Sequence, residues 1–196
     1  MALYLTGDPD ADELLQADPL ALLIGMLLDQ QVPMEKAFHG PFDLKNRLGG
    51  RLDAAAIADA DPDEMAATFA ERPALHRFPA SMAGRTQQLC RHLVEHHGGQ
   101  AADVWTSATT GRELFANVKA LPGFGEQKAR IFVALLAKRM AIEPHGWDAV
   151  AGSYGQPGFF SVADIDGPDS LARVREHKRA TKAAAKAKAG ATTPGD

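Results

Sequence analysis

The sequence predicts an all-α protein, and two kinds of observation lead to that fold class. Apolar residues recur at helical spacing in several segments, as at Leu114, Val118 and Leu121. Helix starts are marked by an aspartate followed by proline, at Asp18 and again at Asp61. An aspartate caps the free amides of a first turn, and proline fits the first helical position. Together these signals predict a bundle of several helices.

The composition fits a globular domain. The chain has 196 residues, of which 45% are hydrophobic, enough for one sizeable domain or two small ones that share a cleft. Its single cysteine, Cys90, excludes a disulfide framework or a four-cysteine site within the chain, and we expect it in the core. His92 and His96 have a spacing that can bind a metal, but no HExxH pattern follows, so a solvated helix face is predicted. We expect no metal and no cofactor.

The N-terminal sequence gives no sign of a targeting segment. It lacks the basic region of a signal peptide, and the longest apolar run, Pro19–Leu28, is about half the length that spans a bilayer. We therefore expect no membrane partner, and a soluble cytoplasmic protein.

Charge is distributed unevenly along the chain. The net charge is −4, but the residues from Arg173 onward include seven basic and two acidic ones, which leaves 14 basic and 23 acidic residues before them. An acidic body disfavours nonspecific DNA binding. Basic residues do accompany the loops described below: Arg77, Arg85, Lys119, Lys128 and Arg130.

The first half of the chain predicts a buried central helix. Residues 10–17 form a short helix, and residues 19–31 are apolar nearly all round until Asp29, as in a helix inside a bundle. That helix delivers Asp29, Gln30 and Gln31 to a surface before Pro33 ends it. Further helices are predicted within residues 35–50, at 53–59, after Asp61 and at 81–97, where Gly98 and Gly99 follow.

The second half is organised around residues 121–131, LPGFGEQKARI. Thr110 and Glu113 fit a capping box for the preceding helix. Gly123 and Gly125 allow positive φ and a close approach, and the amides of residues 123–127 would point outward at the start of the next helix. Such amides can bind a phosphate oxygen, with Lys128 as a mobile charge nearby. The alternative is an ordinary turn between two helices.

The string LPGFGEQKA resembles the helix-hairpin-helix of the HhH-GPD base-excision DNA glycosylases, the relatives of endonuclease III. The resemblance covers about residues 18–150, and it implies a helical fold that grips duplex DNA and flips one nucleotide out. It assigns the DNA backbone contacts to Leu121, Gly123, Phe124, Gly125, Gln127 and Lys128. Many endonuclease III relatives carry an iron–sulfur cluster, which this chain cannot supply from one cysteine.

Two further segments carry the same resemblance. In LLIGMLLDQQVPMEKAF, Gln31 matches the glutamine that fills the hole left by the flipped base, with Gln30 beside it; the alternative is a polar helix cap. The segment FPASMAGRTQQLCRHLVEHHGG resembles a family helix and the loop before it, and Phe78 matches an apolar wedge that this loop inserts at the lesion. The alternative for Phe78 is packing in the core beneath the loop.

The resemblance also points to a catalytic aspartate about twenty residues after the hairpin, and Asp148 in HGWDAV is the candidate. A carboxylate there would stabilise positive charge on the sugar and activate water. The family's bifunctional members carry a lysine where this chain has Gln127, which cannot form a Schiff base, so lyase activity is not expected. Asp148 falls a few residues late, the usual Asp-Thr-His context is absent, and the second helical lobe looks reduced.

The sequence therefore predicts four regions. They are an N-terminal segment (1–17), an HhH-GPD-like core (18–150), a loop with a short C-terminal helix near 169–177 (151–177), and a basic tail that is disordered or weakly helical (178–196). The leading hypothesis is a monomeric, monofunctional DNA glycosylase that acts on duplex DNA. A DNA-binding protein of the same fold without catalysis, and a helical scaffold for protein partners, stay open.

Overall fold

A computed structural model describes the backbone of residues 3–191 and the side chains of residues 3–184. Within these residues the protein is all-helical, which confirms the predicted fold class, and two short 3₁₀ helices cover Gly152–Gly155 and Val162–Asp164. The α-helices, in chain order, are α1 (Pro9–Ala17), α2 (Pro19–Leu28), α3 (Met34–Arg47), α4 (Ala54–Asp59), α5 (Pro62–Ala70), α6 (Pro79–His97), α7 (Asp103–Thr106), α8 (Gly111–Ala120), α9 (Glu126–Met140), α10 (Trp147–Ala151) and α11 (Pro168–Ala191).

Helix α2 is the centre of the bundle, as its composition predicts. Every residue after Pro19 in this helix is buried. Its neighbour α3 approaches closely because glycines face the contact. A Cβ at Gly25 would lie 2.8 Å from the ring of Phe38, and one at Gly40 would lie 2.7 Å from Leu28. The absence of a side chain at both positions lets the two helices pack tightly.

The predicted caps form. Asp18 accepts hydrogen bonds from the amides of Leu20 and Ala21, and Thr110 forms the complete capping box with Glu113. Gly98 takes a left-handed conformation, φ 56°, and ends α6. Because a cap depends only on residues within one turn, the sequence locates these boundaries well.

The chain between α9 and α11 packs against α9 more firmly than a glycine- and proline-rich loop suggests. Val162 and Ile165 are buried, and Asp164, which is 5% exposed, accepts a hydrogen bond of 2.6 Å from Lys138 Nζ. Arg139 Nε donates to the main-chain oxygen of Ala163 at 2.9 Å. This segment carries the chain back to α11.

Helix α11 differs from the sequence-based expectation. We predicted a short helix near residues 169–177 and a separate tail, disordered or weakly helical, after it, but the backbone is one continuous helix to Ala191. Alanine and lysine, which dominate this segment, are strong helix formers. Arg175 forms an ion pair with Glu35 of α3, and the buried Val174 anchors the helix to the body.

Two smaller expectations concern the single cysteine and membrane-spanning helices. Cys90 is fully buried in α6, as predicted, and burial raises the pKa of its thiol to about 12. In the part of the chain that the structure describes, no helix has both the length and the apolar character needed to cross a bilayer.

Candidate nucleic-acid interface

The helix-hairpin-helix consists of α8, a five-residue corner at 121–125, and α9. Two of its predicted DNA contacts are wrong for side chains, because Leu121 and Phe124 are buried, with 2% and 3% of their surface exposed. The Phe124 ring meets the edge of Phe132 at a centroid distance of 5.9 Å. These apolar side chains hold the corner against the core, so only the backbone there can face a ligand.

The two glycines of the corner do different things. Gly123 has φ +85°, and a Cβ there would lie 2.4 Å from Leu27 Cδ1 in α2. Its lack of a side chain therefore lets the corner approach the central helix. Gly125 has φ −73°, which any residue can adopt, and a Cβ there would meet nothing within 4 Å. The space in front of Gly125 is open.

The start of α9 leaves its first amides available. Gly125 is the N-cap residue and makes no side-chain capping hydrogen bond. The one exposed carboxylate in this turn, Glu126, is 3.0 Å from Arg130 Nη2 and 3.7 Å from Lys119 Nζ. The hydrogen bond from Arg130 and the charge of Lys119 hold the pKa of Glu126 below its usual value. The surroundings of these amides are therefore not acidic overall.

Lys128 does not act as the mobile charge that we predicted beside a phosphate. Its Nζ donates to the main-chain oxygens of Met26, Leu27 and Asp29 at the end of α2. The last carbonyls of a helix lack partners within that helix and attract a cation. All three protons of this ammonium are used there. Lys128 therefore fastens α9 to the C-terminus of α2.

Gln127 points to the opposite side of the same turn. Its Nε2 donates to the Tyr154 hydroxyl at 2.9 Å, in the first 3₁₀ helix. One residue along an α-helix is a rotation of about 100°, so Gln127 and Lys128 face different neighbours. Lys128 faces α2, and Gln127 faces the segment that follows α10.

Gln30 lies in the glutamine turn (residues 29–31), which follows α2, and is held on three sides. Its Nε2 donates to the Leu27 oxygen at 2.8 Å, and its Oε1 accepts from Arg85 Nη1 of α6 at 2.9 Å. Its main-chain oxygen is 2.8 Å from His76 Nε2. With these groups occupied, Gln30 serves to fix the turn.

Gln31 has the opposite character. It is exposed, and its φ of +58° is unusual for a residue with a side chain. Such a conformation persists only where the surrounding structure enforces it, and here Lys128 and Gln30 hold the preceding residues. Gln31 is thus presented outward from a rigid turn.

Phe78 is exposed rather than packed in the core. It has 44% of its surface exposed, and the Arg77 guanidinium lies 4.8 Å from its ring centre. The Phe78 amide donates to His76 Nδ1 at 3.1 Å. Because His76 Nδ1 accepts this bond, its Nε2 carries the proton that goes to Gln30. The buried His76 therefore connects the loop of Phe78 to the glutamine turn.

Asp148 is not part of this network. It is exposed in the first turn of α10, a helix that is tied to α8 because the Gly111 amide donates to the His145 oxygen at 2.8 Å. The main chain of Asp148 packs closely against Gly155. Among the residues that the structure describes, none forms a hydrogen bond or an ion pair with its carboxylate. Its catalytic role stays a prediction.

Comparison with known proteins identifies no relative. The chain matches no family model, no curated protein and no solved structure.

Sequence reasoning missed one residue that builds this face, His76, and it missed the contacts of two others that it had named, Asp29 and Arg85. None belongs to a motif, and each is recognisable only once the loop before α6 and the end of α2 are adjacent. The only local sign of this network in the sequence was that Asp29 precedes Gln30 and that Arg77 precedes Phe78.

Proposed function

We propose that this protein binds duplex DNA through the corner at 121–125, the glutamine turn and the loop of Phe78, and that it removes a damaged or mismatched base. The observation that carries the proposal is the hydrogen-bond network that joins these three segments. Lys128 fastens the hairpin to the glutamine turn, and His76 fastens the loop of Phe78 to the same turn. Segments far apart in sequence therefore share one face.

Each part of this face suits a different part of a distorted duplex. The open amides at the start of α9 suit a phosphate. Gln31 carries an exposed amide that can donate to and accept from an unpaired base. Phe78 is an exposed apolar side chain of the kind that wedges between base steps. The Arg77 guanidinium beside it adds positive charge.

Base removal requires cleavage of an N-glycosidic bond and a carboxylate near the sugar. The sequence assigns that role to Asp148. Because Gln127 cannot form a Schiff base, we expect hydrolysis without strand cleavage. We expect the protein to act as a monomer in the cytoplasm, without a cofactor.

A second candidate is a DNA-binding protein that recognises damage but does not cleave. The exposed position of Asp148, outside the hydrogen-bond network described above, favours it. A protein scaffold with no affinity for DNA is the third.

One set of measurements separates the three. Purified protein is titrated into duplex oligonucleotides that carry a panel of lesions and mismatches, at several salt concentrations, and abasic sites are revealed by heating in alkali. A glycosylase gives abasic product for at least one lesion. Salt-sensitive binding without product indicates the second candidate, and no binding at low salt overturns the proposal. A covalent adduct trapped by borohydride would contradict hydrolysis without a Schiff base.

A further inference from the structure

A cleft of about 440 Å³ opens beside the glutamine turn, between the α2–α3 connection and α11. We call it the α2–α11 cleft. Asp29 lines it at one end, and the apolar residues Val32, Met34 and Val174 form its floor. Because α11 is longer than the sequence suggests, it supplies the second wall that the reduced C-terminal region was expected to lack.

Asp29 is the unexplained group in this cleft. It is half-buried and immediately follows α2, where the helix dipole disfavours a carboxylate. Lys128 is near enough for the two charges to interact, but its protons go to main-chain oxygens. Among the described residues, nothing forms a hydrogen bond or ion pair with the Asp29 carboxylate. Asp29 thus lines the cleft with the charge of Lys128 nearby, and its carboxylate has no hydrogen-bond partner among these residues.

Four other charged residues line the cleft: Glu35, Arg175, Lys178 and Arg179. Arg175 is paired with Glu35, an ion pair that ties α11 to α3. Lys178 and Arg179 lie one turn further along α11, line the same cleft and are exposed. A ligand that fits would have an apolar planar face for the floor, an anion for the two cations, and an atom that gains positive charge near Asp29. A nucleotide has all three.

We propose that the α2–α11 cleft receives the extruded nucleotide and that Asp29, rather than Asp148, is the carboxylate that faces its sugar. This inference rests on the proposed function. The cleft is lined by Val32, which directly follows Gln31, so a nucleotide displaced by Gln31 has only a short path to the cleft.

The reaction at Asp29 is a hydrolysis. The bond between C1′ of the sugar and the base nitrogen breaks, and the electron pair leaves with the nitrogen, which takes a proton from solvent. The Asp29 carboxylate stabilises the positive charge that develops on the sugar. A water molecule adds its oxygen to C1′, and Asp29 accepts the proton that this water loses. The products are a free base and an abasic sugar.

The first test locates the nucleotide without depending on activity. A duplex with 5-iodouracil opposite guanine is bound to the full chain, irradiated and digested, and the cross-linked peptide is identified by mass spectrometry. Cross-links to residues 29–34 or 171–179 are expected, and Val32→Trp, which fills the cleft, should remove them while duplex affinity stays within about twofold. Cross-links that map to residues 147–154, or cross-links unaffected by Val32→Trp, would overturn the cleft assignment.

The second test compares Asp29→Asn with Asp148→Asn on the lesion that the wild type cleaves fastest. We expect Asp29→Asn to reduce the single-turnover rate at least about 100-fold and to reduce it more than Asp148→Asn does, with duplex affinity retained in both. The reverse order would overturn the role of Asp29 and leave the proposed function standing. Binding without product for any lesion would overturn that role too, and absence of binding at low salt would instead defeat the proposed function. Thermal unfolding of both variants verifies that they fold.

Discussion

The hairpin has two unlike sides. On the side of α2, Lys128 donates to three main-chain oxygens, and the glutamine turn is also held by Arg85 and His76. On the side of α10, Gln127 donates to Tyr154, Arg130 donates to the Val150 oxygen at 2.6 Å, and Asp148 is exposed. More hydrogen bonds therefore converge on the end of α2 than on the residues around Asp148. A site that must hold a reacting group in place is better supported at the end of α2.

The largest effect should come from breaking the α2 side. Lys128→Met removes the donors to the last carbonyls of α2, and we expect the free energy of unfolding to fall by about 2 kcal/mol, because these hydrogen bonds involve a charged, half-buried group. Gln127→Met, on the opposite side, should change it by less than about 0.5 kcal/mol. Urea titrations at neutral pH measure both. Equal losses in the two variants would contradict the difference between the two sides.

Phe78→Ala and Val94→Ala compare an exposed apolar residue that we expect to contact DNA with one that we do not. Phe78 and Val94 are the large apolar side chains exposed in the described chain, at 44% and 39%. We expect Phe78→Ala to weaken binding to a mismatched duplex about tenfold, since an intercalated side chain stacks on bases. Val94→Ala should leave binding unchanged. Fluorescence anisotropy gives the affinities, and a large loss of stability in Phe78→Ala without a loss of affinity would show that its role is packing.

A smaller effect concerns pH. Burial lowers the pKa of Lys128 from 10.5 to about 8, and the nearby Asp29 charge opposes this only partly. Between these two values the unfolded chain binds more protons than the folded one, so the free energy of unfolding rises with pH across that window. Below about pH 8 the ammonium is charged in both states and the slope from this group disappears. Lys128→Met should remove the rise, as urea titrations on either side of pH 8 would show; an unchanged slope would exclude Lys128 as its source.

Local features of the fold could be predicted, whereas features that depend on distant partners could not. The caps at Asp18 and Thr110 involve neighbours within one turn, so their positions follow from the sequence. The direction of Lys128 depends on carbonyls about one hundred residues earlier, and it was predicted to face a ligand. The resemblance selected Gln31 and Phe78, which are exposed on one face, but it did not distinguish them from Leu121 and Phe124, which the core buries.

The choice of the catalytic carboxylate also depends on distant partners. Asp148 was chosen for its distance along the chain from the hairpin, and sequence distance says little about which groups share a cleft. Asp29 lies in a cleft whose far wall is α11, a helix that begins about 140 residues later. No local pattern reports such a juxtaposition.

The central claim is that the start of α9, beside the corner at 121–125, presents its free amides to a DNA strand, and Gly125→Ala tests it most directly. The Phe124 amide is not among them, because it donates to the Leu121 oxygen at 3.0 Å. A Cβ at Gly125 meets nothing within 4 Å and needs no change of φ, so the free energy of unfolding should stay within about 0.5 kcal/mol of wild type. Gly167→Ala, where a Cβ also meets nothing within 4 Å, is the matched control. If a strand approaches the corner, Gly125→Ala should weaken duplex binding about tenfold and the control should not. Wild-type affinity in Gly125→Ala would contradict the claim.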